Sequence, residues 1–272
     1  MSVPSIQHTF KAGPVHLRDW GGSGHPILLL HGMAAHTHWW DDVVPLWTGR
    51  LRAAAVDFRG HGDSERTPDG FYSAELWVED IETARKALGW ERFILCGHSM
   101  GARIALTYAQ RHPERLRGVA AVDFLPEVRA DRPSRFKRAS GRLQPVYLSE
   151  DDILSRFRLE PGGTSMSPEK VRALGREGVR REGEGWTWKF DWRCLSLPIP
   201  PVWPQLPEIR VPALMVRGEL SAIIGPEDFA RVLRETPGSR GVTIAGAHHH
   251  VPLDKPGELA AAVAEFAADL PA

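Results

Sequence analysis

The chain has 272 residues, 42% apolar and 25% charged, an ordinary globular composition that excludes disorder, collagen-like repeats and coiled coil. Lys plus Arg and Asp plus Glu tie at 34 each, a formal net charge of +0, so no electrostatic grip on nucleic acid or an anionic membrane is expected. Two cysteines are too few for a disulfide framework or a four-cysteine zinc site, no basic-then-apolar leader opens the chain, and no apolar run nears the roughly 20 residues that span a bilayer; a soluble cytoplasmic protein is expected.

Short apolar runs bounded by Gly or Pro alternate with segments of helical period, the pattern of βαβ units around a buried, mostly parallel sheet. Strands are predicted at 27–30 (ILLL), 53–57 (AAAVD), 93–96 (FILC), 119–123 (VAAVD), 213–216 (ALMV) and 242–245 (VTIA). Helices are predicted at 73–88, 100–111, 226–235 and 256–269. The core is assigned to 1–125 and 206–272. Between them, 126–205 loses its strand signals, gains Arg, Glu, Gly and Trp, and reads as a helical lid inserted into the core. It closes on PIPPVWPQLP (198–207), a stiff proline strap.

The run FILC passes through Gly97-His98-Ser99-Met100-Gly101 straight into a helix. G-x-S-x-G alone is a weak signal, but strand, sharp turn and helix in that order form an elbow. Small neighbours let strand and helix approach, and Ser99 stands at a helix N-terminus, where free N–H groups favour a negatively charged oxygen. Ser99 is read as a nucleophile. Its oxyanion donors are assigned to the N–H groups of Met100 and of Met33, in the glycine-bearing exit His31-Gly32-Met33 of the first strand.

A serine nucleophile needs a histidine base and a carboxylate to orient it. The histidines of AGAHHHVPLDKP (245–256) follow the last strand, and two carboxylates lie between them and Ser99: Asp123, ending a strand, and Glu219, in the next loop. Asp57 and His61 in VDFRGHGDS (56–64) precede Ser99 and are read as turn-fixing groups. Neither H-x-H-x-D-H nor H-E-x-x-H occurs, so no metal is expected.

HGM (31–33), DFRGHGDS (57–64), GHSMG (97–101), VDFLPE (122–127), RGELS (217–221) and GAHHHVPLDKP (246–256), in this order, resemble the α/β-hydrolase superfamily, close to its lid-bearing serine esterases. The resemblance spans nearly the whole chain and implies the α/β-hydrolase fold, a mostly parallel sheet flanked by helices. In the family's usual pattern the acid stands where this chain has Ser221. A subgroup carries it at the end of the preceding strand with a serine in the later loop, which points to Asp123 as the acid, Ser221 as its hydrogen-bond donor and Glu219 as the alternative. Counting back from Lys255-Pro256 along the family pattern makes His249 the base, with His248 as runner-up.

The expected activity is cleavage of carboxylic esters through an acyl-enzyme, without cofactor, on a small-molecule substrate, by a monomer or homodimer. The alternatives are a C–C bond hydrolase, lactonase or thioesterase with the same triad, and a receptor-like relative with little turnover. An acyl pocket is expected beneath the lid, walled by Trp39, Trp40, Phe124 and the tryptophans Trp186, Trp188, Trp192 and Trp203. Cys96 is read as inert core.

Overall fold

The computed structural model describes residues 8–127, 142–196 and 200–271. Its centre is an eight-stranded sheet: β1 (His8–Ala12), β2 (Val15–Gly21), β3 (His25–Leu30), β4 (Leu51–Asp57), β5 (Phe93–His98), β6 (Leu116–Val122), β9 (Ala213–Gly218) and β10 (Arg240–Ile244). They lie side by side in the order β1-β2-β4-β3-β5-β6-β9-β10. From β4 to β10 every pairing is parallel, and β2 alone runs the other way, antiparallel to both its neighbours β1 and β4. All six predicted strands are present. Alternation divides each buried strand between two cores. Leu28, Leu30, Phe93 and Leu95 meet α1 (Ala74–Ala87) and α2 (Met100–Arg111) on one face, while Ile27, Leu29, Ile94 and Cys96 meet α6 (Pro256–Ala268) on the other. α5 (Pro226–Glu235) packs on the α1 side.

β1 and β2 were not expected from the sequence. The strand β2, VHLRDWG, carries polar groups that are nevertheless buried, because each finds a partner. His16 Nδ1 lies 2.7 Å from Asp57 Oδ2, and Arg18 Nη1 donates to Asp41 Oδ1 at 2.6 Å. Such pairing erases the apolar run by which a buried strand is recognised.

The segment between β6 and β9 holds α3 (Glu150–Ser155) and α4 (Pro168–Glu177), each with a serine N-cap, but also an antiparallel hairpin, β7 (Val179–Glu182) with β8 (Gly185–Trp188). The expectation of a purely helical insertion is corrected on this point. Gly183 takes φ +58° at the hairpin turn, and the hairpin's Val179 and Trp188 pack with Ile153, Leu154, Tyr147 and Phe157. The remainder of the expected lid and the start of its proline strap lie outside the described residues. Among those described, no helix is long and apolar enough to cross a membrane.

Candidate active site

The elbow is built as its residue types demand. Ser99, between β5 and α2, has φ +56° and ψ −115°, a conformation that costs a side-chain-bearing residue about 1–3 kcal/mol. The flanking glycines allow it. A Cβ at Gly97 would lie 2.2 Å from the Gly101 carbonyl oxygen, and one at Gly101 would lie 2.6 Å from the carbonyl oxygens of Leu30 and His31. The Ser99 amide donates to the Val122 carbonyl at 2.9 Å, tying the elbow to the end of β6.

Asp123 follows directly, fully buried with φ +42°. Its Oδ1 accepts from the Ser221 hydroxyl at 2.7 Å and its Oδ2 from the Gly218 amide at 2.7 Å. Ser221 Oγ itself accepts from the Ile223 and Ile224 amides at 3.1 and 3.3 Å, which leaves its proton for the carboxylate. Burial raises the Asp123 carboxyl above its ordinary range, and the Ser221 and Gly218 donors oppose that.

His249 completes the line: Nδ1 is 2.7 Å from Asp123 Oδ1, and Nε2 is 3.0 Å from Ser99 Oγ. Burial lowers its pKa, so the ring rests neutral, with the Nδ1 proton directed at the carboxylate and the Nε2 lone pair at the serine. The structure thus brings Ser99, His249 and Asp123 together. It separates the alternatives: Glu219 accepts from the Gly246 amide at 2.8 Å and braces the histidine loop, while His248 donates its amide to Asp254 and lays its ring over Gly163. Met100 opens α2 and Met33 lies in the loop after β3; among the described residues neither amide has a hydrogen-bond acceptor.

The turn-fixing groups behave as such. Asp57 accepts from the Thr37 amide at 2.7 Å and the Asp63 amide at 3.1 Å as well as facing His16, and His61 is buried between Trp77 and Phe190. Burial pushes the Cys96 thiol up to about 12, which leaves it unreactive.

A cavity of about 200 Å³ opens between core and insertion, beside Met33, Trp39, Phe157, Leu159, Trp188 and Trp192. Trp40 and Phe124 are not among its walls, a correction to the sequence reading. Consecutive residues of a 3₁₀ turn point about a third of a turn apart. Trp39 therefore faces His98 and His250 while Trp40 is fully buried in the core, and Phe124 is buried against the opposite face of the sheet. Trp203 is also absent from the walls, lying under the Arg231 guanidinium, as is Trp186, which lies under that of Arg181.

Sequence reasoning missed the groups that seat the insertion on the histidine loop. Asp254 Oδ1 accepts from Thr164 Oγ1 at 2.6 Å and from the Ser165 amide at 2.8 Å, and His250 Nε2 donates to the Pro161 carbonyl at 2.9 Å. Only the adjacency of Asp254 and His250 to His249 in the chain could have suggested them.

The class follows from this architecture and is matched by comparison. Residues 25–256 fit the family described as alpha/beta hydrolase fold, and the chain belongs to that family. It is 27% identical to a serine hydrolase-like protein of Danio rerio, covering 93% of this chain and 85% of that one. With the 2-(acetamidomethylene)succinate hydrolase of Mesorhizobium japonicum it shares 28% identity over 85% of this chain and 83% of that one. An esterase of Mycobacterium tuberculosis is 26% identical over 93% and 86%. The solved structure of that esterase superposes with a TM-score of 0.79, at 26% identity, over 97% of this chain and 91% of the esterase.

Proposed function

We propose that this chain is a serine hydrolase that cleaves small carboxylic esters through an acyl-enzyme on Ser99. The observation that carries the reading is the unbroken line from Asp123 Oδ1 to His249 Nδ1 at 2.7 Å and from His249 Nε2 to Ser99 Oγ at 3.0 Å, at an elbow that leaves Ser99 half-buried at a helix start. His249 Nε2 accepts the hydroxyl proton as Ser99 Oγ bonds to the acyl carbon, and the carbonyl electron pair moves onto oxygen, held by the amides of Met33 and Met100. Collapse of that intermediate expels the alkoxide, which takes the proton from His249 and leaves as alcohol. Water then repeats the sequence on the acyl-enzyme, releasing the carboxylic acid and restoring Ser99. Asp123 keeps the imidazole in the required tautomer and stabilises its protonated form. The names of the relatives support hydrolysis, and that of the mycobacterial protein supports ester hydrolysis. The cavity adjoins the proposed site through Met33 rather than through the triad itself, and if it receives the acyl group its volume of about 200 Å³ favours short chains.

Hydrolysis of p-nitrophenyl esters from acetate to palmitate, with Ser99→Ala prepared identically, tests the reading. Turnover is expected with the short esters and is expected to be abolished in the variant. Wild-type rates in Ser99→Ala would overturn the serine assignment, and a palmitate optimum would overturn the role given to the cavity.

A further inference from the structure

Three imidazoles crowd one place. His98, His249 and His250 are all buried, and each offers a ring nitrogen within 4.8 Å of those of the other two. Their hydrogen bonds fix which nitrogen is bare. His98 Nε2 lies 2.9 Å from the His249 carbonyl oxygen and His250 Nε2 lies 2.9 Å from the Pro161 carbonyl oxygen. A carbonyl only accepts, so both Nε2 atoms carry the proton and both Nδ1 atoms are bare lone pairs. Neither Nδ1 has a partner among the described residues, although both are buried. An acceptor left unpaired in the interior is costly, and two beside a third imidazole are an uncommon concentration of unused lone pairs. His249 repeats the pattern in mirror form, with Nδ1 facing Asp123 and its lone pair at Nε2.

Imidazoles that bind a metal usually donate their other ring proton to a carbonyl or carboxylate, which orients the ring and sharpens the free lone pair. Here all three do so, and Asp123 adds a carboxylate behind the set. We propose that His98, His249 and His250 form an inhibitory site for a divalent transition-metal ion of the zinc type, which captures the His249 lone pair and stops acyl transfer. The inference rests on the catalytic reading of His249 given above. Bonds of about 2.0–2.1 Å place the nitrogens of a tetrahedral zinc site some 3.4 Å apart, so the rings must turn their bare nitrogens toward the ion and close gaps of up to 4.8 Å by as much as about 1.4 Å. A fourth position remains for water or for Ser99 Oγ. The chemistry of capture is a ligand exchange: three neutral nitrogens replace waters of the ion, and no redox step occurs. Imidazole donors select Zn²⁺, Cu²⁺, Ni²⁺ and Co²⁺ and discriminate against Mg²⁺ and Ca²⁺, which require oxygen ligands.

The test has two arms on the full chain. In the first, Co²⁺ is titrated into wild type and into Ser99→Ala, and the visible d–d absorption is read. One equivalent with the intensity of a nitrogen-ligated, low-coordinate site is expected in both proteins, displaced by Zn²⁺ and diminished in His98→Asn and His250→Asn. In the second, p-nitrophenyl acetate turnover is followed against buffered free Zn²⁺, with Mg²⁺ as control and a chelator added last. Wild type is expected to lose turnover with Zn²⁺ only and regain it with chelator, and the residual turnover of each histidine variant is expected to be less sensitive to Zn²⁺ by about tenfold or more. An absent Co²⁺ spectrum, a spectrum unaltered in both variants, or equal inhibition by Mg²⁺ would overturn the proposal. Full turnover by Ser99→Ala alongside an intact Co²⁺ site would instead overturn the serine mechanism, so the two failures are distinguishable.

Discussion

Acidification should unfold this protein steeply, through histidines that cannot take a proton in place. Burial lowers the pKa of His36, His61 and His250 to about 3 each and that of His98 well below its ordinary value, and all four are at most 4% exposed. In the unfolded chain each titrates near 6.5. Between pH 6 and 5 the unfolded state therefore binds about four more protons at these positions, and stability must fall as pH falls. Asp80 has the opposite sign: burial raises its carboxyl to about 6, against the pull of Arg59, so the folded state takes up this proton first. Opposite shifts in the coupled Asp123 and His249 pair offset each other in this range. At least three net protons remain, since burial also lowers the pKa of His31, and at about 1.4 kcal/mol per proton per pH unit the loss is at least about 4 kcal/mol, a large share of a typical folding free energy of about 5–15 kcal/mol. Urea midpoints at pH 7, 6 and 5 measure it. A midpoint unchanged from pH 6 to 5, or uptake of no more than one proton on unfolding at pH 5.5, would refute the reasoning. His61→Phe, which fits between Trp77 and Phe190 without a titrating group, should remove about 1.4 kcal/mol per pH unit from the slope.

The acid assignment separates in paired variants. Asp123→Asn is expected to lower kcat by roughly 10³–10⁴, because the Nδ1 proton loses its carboxylate; Glu219→Gln should leave kcat near wild type, and steady-state ester kinetics compare the two. Gly97→Ala drives a Cβ to 2.2 Å from the Gly101 carbonyl and is expected to destabilise by about 1–3 kcal/mol or to prevent soluble expression, as read from the urea midpoint.

Legibility in the sequence followed how locally each feature is encoded. Helix α2 matches its predicted span, 100–111, because the elbow's glycines and the apolar stripe both mark it. The parallel strands were legible as apolar runs, since burial on both faces leaves no alternation to misread. β2 was not, because Arg18 and Asp19 look like surface until Asp41 and the Gly21 amide are found opposite them. The insertion's hairpin was hidden by its charges, as Arg181 and Glu182 of VRRE face solvent and leave only Val179 as an apolar mark. Motif spacing could nominate Asp123 and Glu219 together. Only the strand order, which sets β6 beside both β5 and β9, shows which carboxylate is within reach of His249. The inward rotation of Trp39 rather than Trp40 depends on where one short helical turn lands, and no residue type records that.

Ser99 and Asp123 hang from a single rung, the amide of one donating to the carbonyl just ahead of the other. Their separation is accordingly governed by the spacing of neighbouring strands, about 4.8 Å, which is a property of the backbone and common to every sheet. The cavity beside Met33 is walled largely by a segment anchored to the core through Asp254, His250 and the Asp191–Tyr72 bond, apart from that rung. On the proposed reading, the geometry of the reacting atoms is set by this rung and selectivity by the described residues 142–196, so the two can vary separately.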